Sequence, residues 1–343
     1  MNLSHISSII HAAIEQRIFP GAVVLVAKGG QIVHRAAYGG TTYEGEQRVD
    51  LTTIYDVASL TKMFTATAAL RLVDAGRLEL DASVQVYLPQ FAAPDVTIRH
   101  LFTHTSGIDI RLSTLRELGR GGLLAQVLAT MPQRPPGSTV AYSNVNSLLL
   151  GEIVSALRGT PLEIALADLV IRPLGLRDTG FCPGPALLPR IAPTEYDTTW
   201  RGALVHGSVH DESTAALGGV AGHAGLFSTA EDIGVFCEHW RAMLADCSLG
   251  EALLSWELVR QATTNQTAGL AQACGLGWMI DRLNFMGVVP PGSFGHTGFT
   301  GPAMVVVPQH DTIVVVMNNR IYPQRGPAVH HAVIAAVVAA ASG

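Results

Sequence analysis

The chain has 343 residues, of which 48% are hydrophobic and 14% charged, and its formal net charge at pH 7 is −5. This composition is typical of a folded protein of about two lobes, and it excludes a disordered chain or a basic surface that binds nucleic acid. No secretory signal pattern is present at the N-terminus and no CxxC spacing occurs, so we expect a cytoplasmic protein without disulfides. The four cysteines are Cys182, Cys237, Cys247 and Cys274.

The first part of the chain predicts a helix, a β-hairpin and a second helix. Apolar residues recur at helical spacing from Ile6 to Ile14, and two β-rich runs then meet around Gly29. The segment 58–75 contains no glycine or proline and is followed by a glycine. This pattern predicts a helix with Ser59 in its first turn.

The central part of the chain predicts a helical lobe. From 76 to 222, short helical stretches such as 147–157 and 161–169 alternate with proline and glycine clusters. A further helix is predicted from Ser228 to Leu244, because acidic residues lie near its N-terminus.

The last part of the chain predicts an antiparallel sheet and a terminal helix. The runs GLGWMI, SFGHTGF, PAMVVVP and DTIVVVMNN are short, β-branched and separated by turns. The apolar stretch 332–341 is too short to span a membrane, and we interpret it as a packed helix. We therefore expect an α+β fold in which an antiparallel sheet flanked by helices (residues 1–75 and 225–343) holds an inserted, mainly helical lobe (residues 76–224). The active site is expected in the cleft between them.

A serine and a lysine at helical spacing form the first chemical motif, Ser59-Leu60-Thr61-Lys62. Residues three apart lie on one helix face, so the amine can influence the hydroxyl proton. Only two of the 22 basic residues are lysines, which makes a chance match less frequent here. An arginine cannot serve in this place because guanidinium stays protonated, whereas a desolvated lysine can act as a base.

Two further motifs follow in the chain. Tyr142-Ser143-Asn144 precedes an apolar helix, and an ammonium beside the phenol would favour the phenolate and make it a proton acceptor. Asn144 is placed to orient Lys62 or a substrate amide. His296-Thr297-Gly298 lies on a predicted strand, where the glycine permits close approach of a substrate.

In this order the three motifs resemble the serine β-lactamase and penicillin-binding-protein superfamily, and within it the class C β-lactamase-related esterases, peptidases and hydrolases. The resemblance extends through residues 100–107, 149–152, 209–229 and 317–320. It implies a β-lactamase/transpeptidase-like fold and no cofactor. It also implies a catalytic set of Ser59, Lys62 and Tyr142, with an oxyanion hole formed by the backbone amides of Ser59 and Phe299.

The third motif departs from many relatives that bind penicillins, which have Lys-Thr-Gly followed by serine or threonine. This chain has His296 and Phe299 at those places. A histidine is mostly neutral at neutral pH, so it is a poorer anchor for an anionic substrate than lysine. We therefore expect a carboxylesterase-like hydrolase acting on a small ester or amide. Acyltransfer, β-lactam hydrolysis, D-amino-acid peptidase activity and a sensor that is acylated without turnover stay open, as does the oligomeric state.

Several histidines have spacings that metal ligands also show, and a metal site is the alternative to a purely structural role. The residues with such spacings are His100, His104, His206, His210, Asp211 and His223. We expect no metal. Instead, we expect His104 to brace a loop by hydrogen bonds, and His210, Asp211 and His223 to help form the cleft wall. No Gly-x-Ser-x-Gly elbow occurs, which disfavours an α/β-hydrolase with a histidine-based triad.

Overall fold

The computed structural model describes residues 3–45, 47–245 and 252–342, so Cys247 lies outside the described residues. The helices are α1 (Leu3–Glu15), α2 (Thr61–Asp74), α3 (Ile98–Phe102), α4 (Gly119–Leu128), α5 (Asn144–Arg158), α6 (Leu162–Leu166), α7 (Glu212–Ala216), α8 (Ala230–Ala245), α9 (Trp256–Thr263), α10 (Leu283–Met286) and α11 (His330–Ser342). The strands are β1 (Gly21–Lys28), β2 (Gln31–Gly39), β3 (Tyr55–Asp56), β4 (Gly180–Phe181), β5 (Tyr196–Asp197), β6 (Ala203–Leu204), β7 (Leu226–Ser228), β8 (Met279–Ile280), β9 (Phe294–Thr297), β10 (Ala303–Val307) and β11 (Thr312–Asn318).

Both ends of the chain build one antiparallel sheet of six strands, in the order β2-β1-β11-β10-β9-β8. β1 and β2 form the predicted hairpin, and β11 pairs with β1 along its length, from Ala22 opposite Asn318 to Lys28 opposite Thr312. The α+β class and the antiparallel sheet flanked by helices are thereby confirmed.

The middle strands are apolar without alternation because both faces of the sheet are covered. Seven of the eight residues of β1 are buried. Val23 and Leu25 belong to the larger core, which includes residues of α2 and α8, whereas Val24 and Val26 belong to the core under α1 and α11. Full burial of each such side chain stabilises the fold by about 1.5–3 kcal/mol, so this sandwich makes the sheet a rigid support for the site.

A strained turn leads from the small sheet β3-β7-β4 into α2. The carboxylate of Asp56 accepts hydrogen bonds from the backbone amides of Ala58 (2.8 Å) and His210 (2.7 Å). These bonds hold Ala58 at φ +46°, which is unfavourable for a residue with a side chain. Such strain persists only where the surroundings fix it, and here it orients the 3-10 turn Ala58–Leu60 that contains Ser59.

Helix boundaries differ from the prediction where polar residues open a helix. The sequence predicts a start near Ser147, just before an apolar run. α5 begins three residues earlier, at Asn144, and its first turn contains two asparagines that do not belong to the apolar pattern. Ser228 belongs to β7, and the Thr229 hydroxyl accepts the Asp232 amide (3.3 Å) at the start of α8.

Residues 98–216 contain α3 to α7 together with three two-residue strands. The division into lobes at 75/76 and 224/225 stays a prediction. In the described part of the chain, no helix has both the length and the apolar character needed to cross a membrane.

Candidate active site

Lys62 lies in the first turn of α2 with its amine directed at the Ser59 hydroxyl. The Nζ atom donates to Ser59 Oγ at 2.9 Å, to Asn144 Oδ1 at 2.9 Å and to the backbone carbonyl of His223 at 3.0 Å. The turn that contains Ser59, the start of α5 and the segment before β7 therefore fix this amine. The predicted Ser59–Lys62 pair and the predicted contact of Asn144 with Lys62 are both present in the structure.

Burial controls the charge of Lys62. The side chain is only 3% exposed, and its three neighbours are neutral oxygen atoms. Desolvation lowers the pKa of Lys62 to about 7, and the negative charge of Asp211 offsets part of this effect. A large fraction of the amine is therefore unprotonated at neutral pH, as a base requires.

Tyr142 lies on the other side of Lys62, whose Nζ is 4.9 Å from the centre of the tyrosine ring. The residue is 45% exposed overall, and its hydroxyl forms a hydrogen bond with Ser59. Desolvation raises the pKa of Tyr142 above its ordinary value, and a hydrogen bond with Ser59 lowers it in part. This direction differs from the phenolate expected beside an ammonium: desolvation outweighs the hydrogen bond with Ser59, and Tyr142 is a phenol at neutral pH.

Two buried histidines flank the tyrosine ring. The ring centres of His104 and His296 lie 4.8 Å and 5.8 Å from that of Tyr142. Burial, and next the nearby Lys62, lower the pKa of each histidine to about 3, so both are neutral. His104 Nδ1 accepts the Ser143 amide at 3.3 Å, which confirms the predicted bracing of this loop.

His296 is fully buried, and its Nδ1 donates to the carbonyl of Thr297 at 2.9 Å. Tyr142 lines the cleft, and the His296 ring lies beside it with ring centres 5.8 Å apart. The predicted contact of His296 with a substrate stays a prediction.

The segment after β9 packs against the turn that precedes Ser59. A side chain at Gly298 would lie 2.5 Å from the carbonyl oxygen of Val57, so only glycine permits this approach. The Thr300 hydroxyl donates to the carbonyl of Asp56 at 2.7 Å. Thr297 ends β9, half-buried, and Phe299 projects into the cleft beside Ser59. The backbone between them therefore packs on the turn that leads to Ser59, and the predicted oxyanion hole of the Ser59 and Phe299 amides stays a prediction.

The cleft above Ser59 is a cavity of about 610 Å³ lined by polar and apolar groups. One wall is a chain of alternating charges that the sequence did not reveal. Glu212 joins Arg116 (2.6 Å) to Arg325 (3.1 Å), and Arg325 in turn contacts Glu195, which also pairs with His210 (2.7 Å). His210 stacks on Phe299 with ring centres 5.7 Å apart. This wall supplies both signs of charge beside the cleft, and most of its charges are already paired.

Asp211 lines the same cleft, and His223 lies beneath it. The expectation that His210, Asp211 and His223 help to form the cleft wall is thus met directly by the first two. In the described part of the chain, no three His, Cys, Asp or Glu side chains are grouped as metal ligands. His100 Nδ1 accepts the Thr97 amide, and His206 Nε2 contacts the carbonyl of Ile191.

A second cavity of about 280 Å³ lies on the far side of Tyr142. Tyr142 lines both this cavity and the main cleft, and His104, Gln272, Arg282 and Asn284 also line this cavity. Arg282 contacts Cys274 Sγ at 3.4 Å, and no carboxylate of the described residues lies within ion-pair distance of it. This cavity therefore offers an uncompensated positive charge next to the tyrosine.

Comparison with known proteins agrees with this geometry. A model of the family described as "Beta-lactamase" matches residues 6–339. The Escherichia coli K12 protein named "Putative D-alanyl-D-alanine carboxypeptidase" is 33% identical, over 90% of this chain and 81% of its own length.

Two solved structures show the same fold at lower identity. One is "EstCE1, a hydrolase with promiscuous acyltransferase activity", at 22% identity, TM-score 0.80 and coverage of 99% and 98% of the two chains. The other is a class C β-lactamase in complex with cefoxitin, at 20% identity, TM-score 0.77 and 98% coverage of both chains. The β-lactamase/transpeptidase-like fold is thereby confirmed, and the chain belongs to the β-lactamase family as one of its serine hydrolases.

Proposed function

We propose that the protein hydrolyses a small ester or amide through an acyl-enzyme on Ser59. The single observation that supports this most strongly is the Lys62 amine, 2.9 Å from Ser59 Oγ and with a pKa of about 7. A nucleophilic serine needs a base within hydrogen-bond reach and with a pKa near the working pH. Lys62 meets both requirements.

In the proposed first step, Ser59 Oγ bonds to the substrate carbonyl carbon as its proton passes to the neutral amine of Lys62. The backbone amides of Ser59 and Phe299 stabilise the oxyanion. The bond to the leaving group then breaks, and the Tyr142 phenol gives that group its proton. Lys62 returns the serine proton to the tyrosine, so charge and protons balance. A water molecule then takes the place of the leaving group, and the steps run in reverse. The water gives up a proton and its oxygen bonds to the acyl carbon, the bond from this carbon to Ser59 Oγ breaks, and Ser59 regains its proton as the acid is released.

The two neutral histidines beside Tyr142 favour a carboxylesterase-like substrate. His296 and His104 have pKa values of about 3, so neither supplies the fixed cation that the Lys-Thr-Gly lysine provides in many relatives. The name of EstCE1 describes a hydrolase on the same fold. An uncharged acyl group with an uncharged leaving group suits this site.

The pH dependence of ester hydrolysis tests the proposal. Because Lys62 acts as the base only when unprotonated, kcat/KM for p-nitrophenyl acetate should rise with pH and reach half its maximum near pH 7, where Lys62 titrates. The fall on the alkaline side should lie above the ordinary pKa of a phenol, because the pKa of Tyr142 is raised. A flat profile between pH 5.5 and 8.5, or hydrolysis of nitrocefin far faster than of esters, would contradict the proposed base or the proposed substrate.

A D-amino-acid carboxypeptidase activity is the second candidate, and one observation favours it. Arg282 places an unpaired cation in the cavity beside Tyr142, the residue proposed to protonate the leaving group. A leaving amino acid has its carboxylate close to the amine that receives this proton. The E. coli relative's name also refers to such an activity.

Arg282→Ala separates the two candidates. If a carboxylate binds there, an N-acyl-D-alanyl-D-alanine should lose about tenfold or more in kcat/KM, because a charge-assisted hydrogen bond contributes about 1.5–3 kcal/mol. The same peptide with a C-terminal amide and p-nitrophenyl acetate should lose much less. Arg282→Lys keeps the charge and should restore part of the peptide activity. Equal losses for the acid and the amide would rule out the carboxypeptidase candidate.

A further inference from the structure

A hydrogen-bonded cluster around Asp211 lies next to the segment that holds Lys62. Asp211 begins α7, and its Oδ1 accepts hydrogen bonds from the Ser213 hydroxyl (2.5 Å) and the Thr214 amide (2.8 Å). The same oxygen is 3.2 Å from His223 Nε2. Because a carboxylate only accepts, we assign the hydrogen of this contact to Nε2. Burial raises the pKa of Asp211, but the nearby His223, and after it the hydrogen bonds from Ser213 and Thr214, lower this pKa well below its ordinary value and keep the carboxylate ionised.

His223 connects this cluster to the proposed base. Its side chain is fully buried against Asp211, while its backbone carbonyl accepts the hydrogen bond from Lys62 Nζ at 3.0 Å. The preceding residue, Gly222, is pressed against α5, where a Cβ atom would lie 2.1 Å from the carbonyl oxygen of Ser147. The segment therefore has little freedom to move. The imidazole contact with Asp211 fixes the place of the carbonyl that Lys62 uses.

Few charges act on Lys62 from its surroundings. Tyr142, His104 and His296 lie near the amine, and all three are neutral at neutral pH. Asp211 is the charged group that raises the pKa of Lys62 against the effect of burial. The positive charge of Arg282 contributes to the lowered pKa values of His104 and His296.

We propose that Asp211 is a positioning residue for Lys62, because its contact with the His223 imidazole fixes the backbone carbonyl that holds the amine. Its negative charge also offsets part of the effect of burial on the pKa of that amine. Nothing in the reaction requires Asp211 to touch the reacting atoms. The inference deepens the proposed function, since it concerns the residue proposed there as the base.

The composition of the chain permits a direct test. Only Lys28 and Lys62 are lysines, so protein labelled with [ε-13C]lysine gives two side-chain signals by NMR, and Lys28→Arg assigns them. Lys28 is exposed at the end of β1 and serves as an internal reference. In Asp211→Asn, the titration midpoint of Lys62 should fall by about one pH unit, because the variant removes a nearby negative charge. Asparagine also begins helices well, so α7 should be retained.

Two matched variants separate charge from packing. Asp211→Glu keeps the charge and should leave the Lys62 midpoint close to that of the natural protein. Ser213→Ala removes one hydrogen bond to Asp211 without removing its charge and should shift the midpoint less than Asp211→Asn. A Lys62 midpoint that is unchanged in Asp211→Asn would overturn the inference.

The pH profile of ester hydrolysis distinguishes failure of this inference from failure of the proposed function. In Asp211→Asn its acidic limb should move to lower pH together with the Lys62 signal. If the Lys62 midpoint falls while the acidic limb stays, the inference about Asp211 stands and Lys62 is not the base. A merely structural role would lower kcat at every pH and move neither.

Discussion

Replacing Ser59 with alanine is expected to reduce kcat/KM for p-nitrophenyl acetate by about 10⁴-fold or more. The alanine has no oxygen to bond to the carbonyl carbon, so the acyl-enzyme cannot form. Loss of a catalytic nucleophile removes nearly all transition-state stabilisation beyond that of binding and the oxyanion hole. The measurement is the initial rate of p-nitrophenol release at pH 8 with the variant enzyme, compared with the natural protein.

Ser59→Ala is a small change that should not disturb folding, so a loss of activity reports on the chemistry. Ser59 accepts one hydrogen bond from Lys62, and its side chain is half-buried, so the alanine variant should fold with nearly the same melting temperature. Ser8→Ala, on the exposed face of α1, is a control for preparation and should hydrolyse the ester normally. Retention of more than a tenth of the activity by folded Ser59→Ala would refute the nucleophile assignment.

Replacing Lys62 has the second largest expected effect. Both Lys62→Met and Lys62→Arg should lower kcat/KM by about 10³-fold, within the range that a positioned general base contributes. Arginine preserves a cation and hydrogen-bond donors but stays protonated, so it tests whether the site needs a base or only a positive charge. The two variants should therefore be equally impaired, with kcat affected more than KM.

The second lysine provides the matched control. Lys28→Arg changes an exposed lysine at the end of β1 and is expected to leave kcat/KM within about twofold. If Lys62→Arg keeps most of the activity while Lys62→Met loses it, Lys62 acts as a fixed cation and the proton-transfer scheme is wrong.

Local patterns were sufficient to predict much of the fold and the centre of the site. Ser59 and Lys62 are three residues apart in one helical turn, and Tyr142 lies two residues before Asn144, the first residue of α5. Their spacing in the sequence was therefore enough to predict that each pair lies close together. The strands of the main sheet follow from β-branched runs separated by turns. Such features depend little on distant parts of the chain.

The charged wall of the cleft could not be predicted because its partners are far apart in sequence. Arg116 meets Glu212 across 96 residues, and Arg325 meets Glu195 across 130. Nothing in the local pattern of any of these residues indicates its partner. The same holds for Arg282, which reaches the back of Tyr142 only through the tertiary fold.

The charge states at the site also required the structure. The pKa of Tyr142 is raised rather than lowered because desolvation outweighs its hydrogen bond with Ser59, and the Lys62 amine titrates near neutral pH. His296 is neutral and fully buried beside the tyrosine ring. Burial is a property of packing, so sequence alone cannot give its effect on a pKa.

Mapping of the acylated residue is the most direct test of an acyl-enzyme on Ser59. The protein is mixed with a slowly hydrolysed p-nitrophenyl ester, quenched in acid within seconds, digested and analysed by mass spectrometry. We expect one acyl group per protein molecule, on the peptide that contains Ser59, and none in Ser59→Ala. An acyl group on another residue, or ester turnover with no trapped adduct under any quench time, would contradict an acyl-enzyme on Ser59.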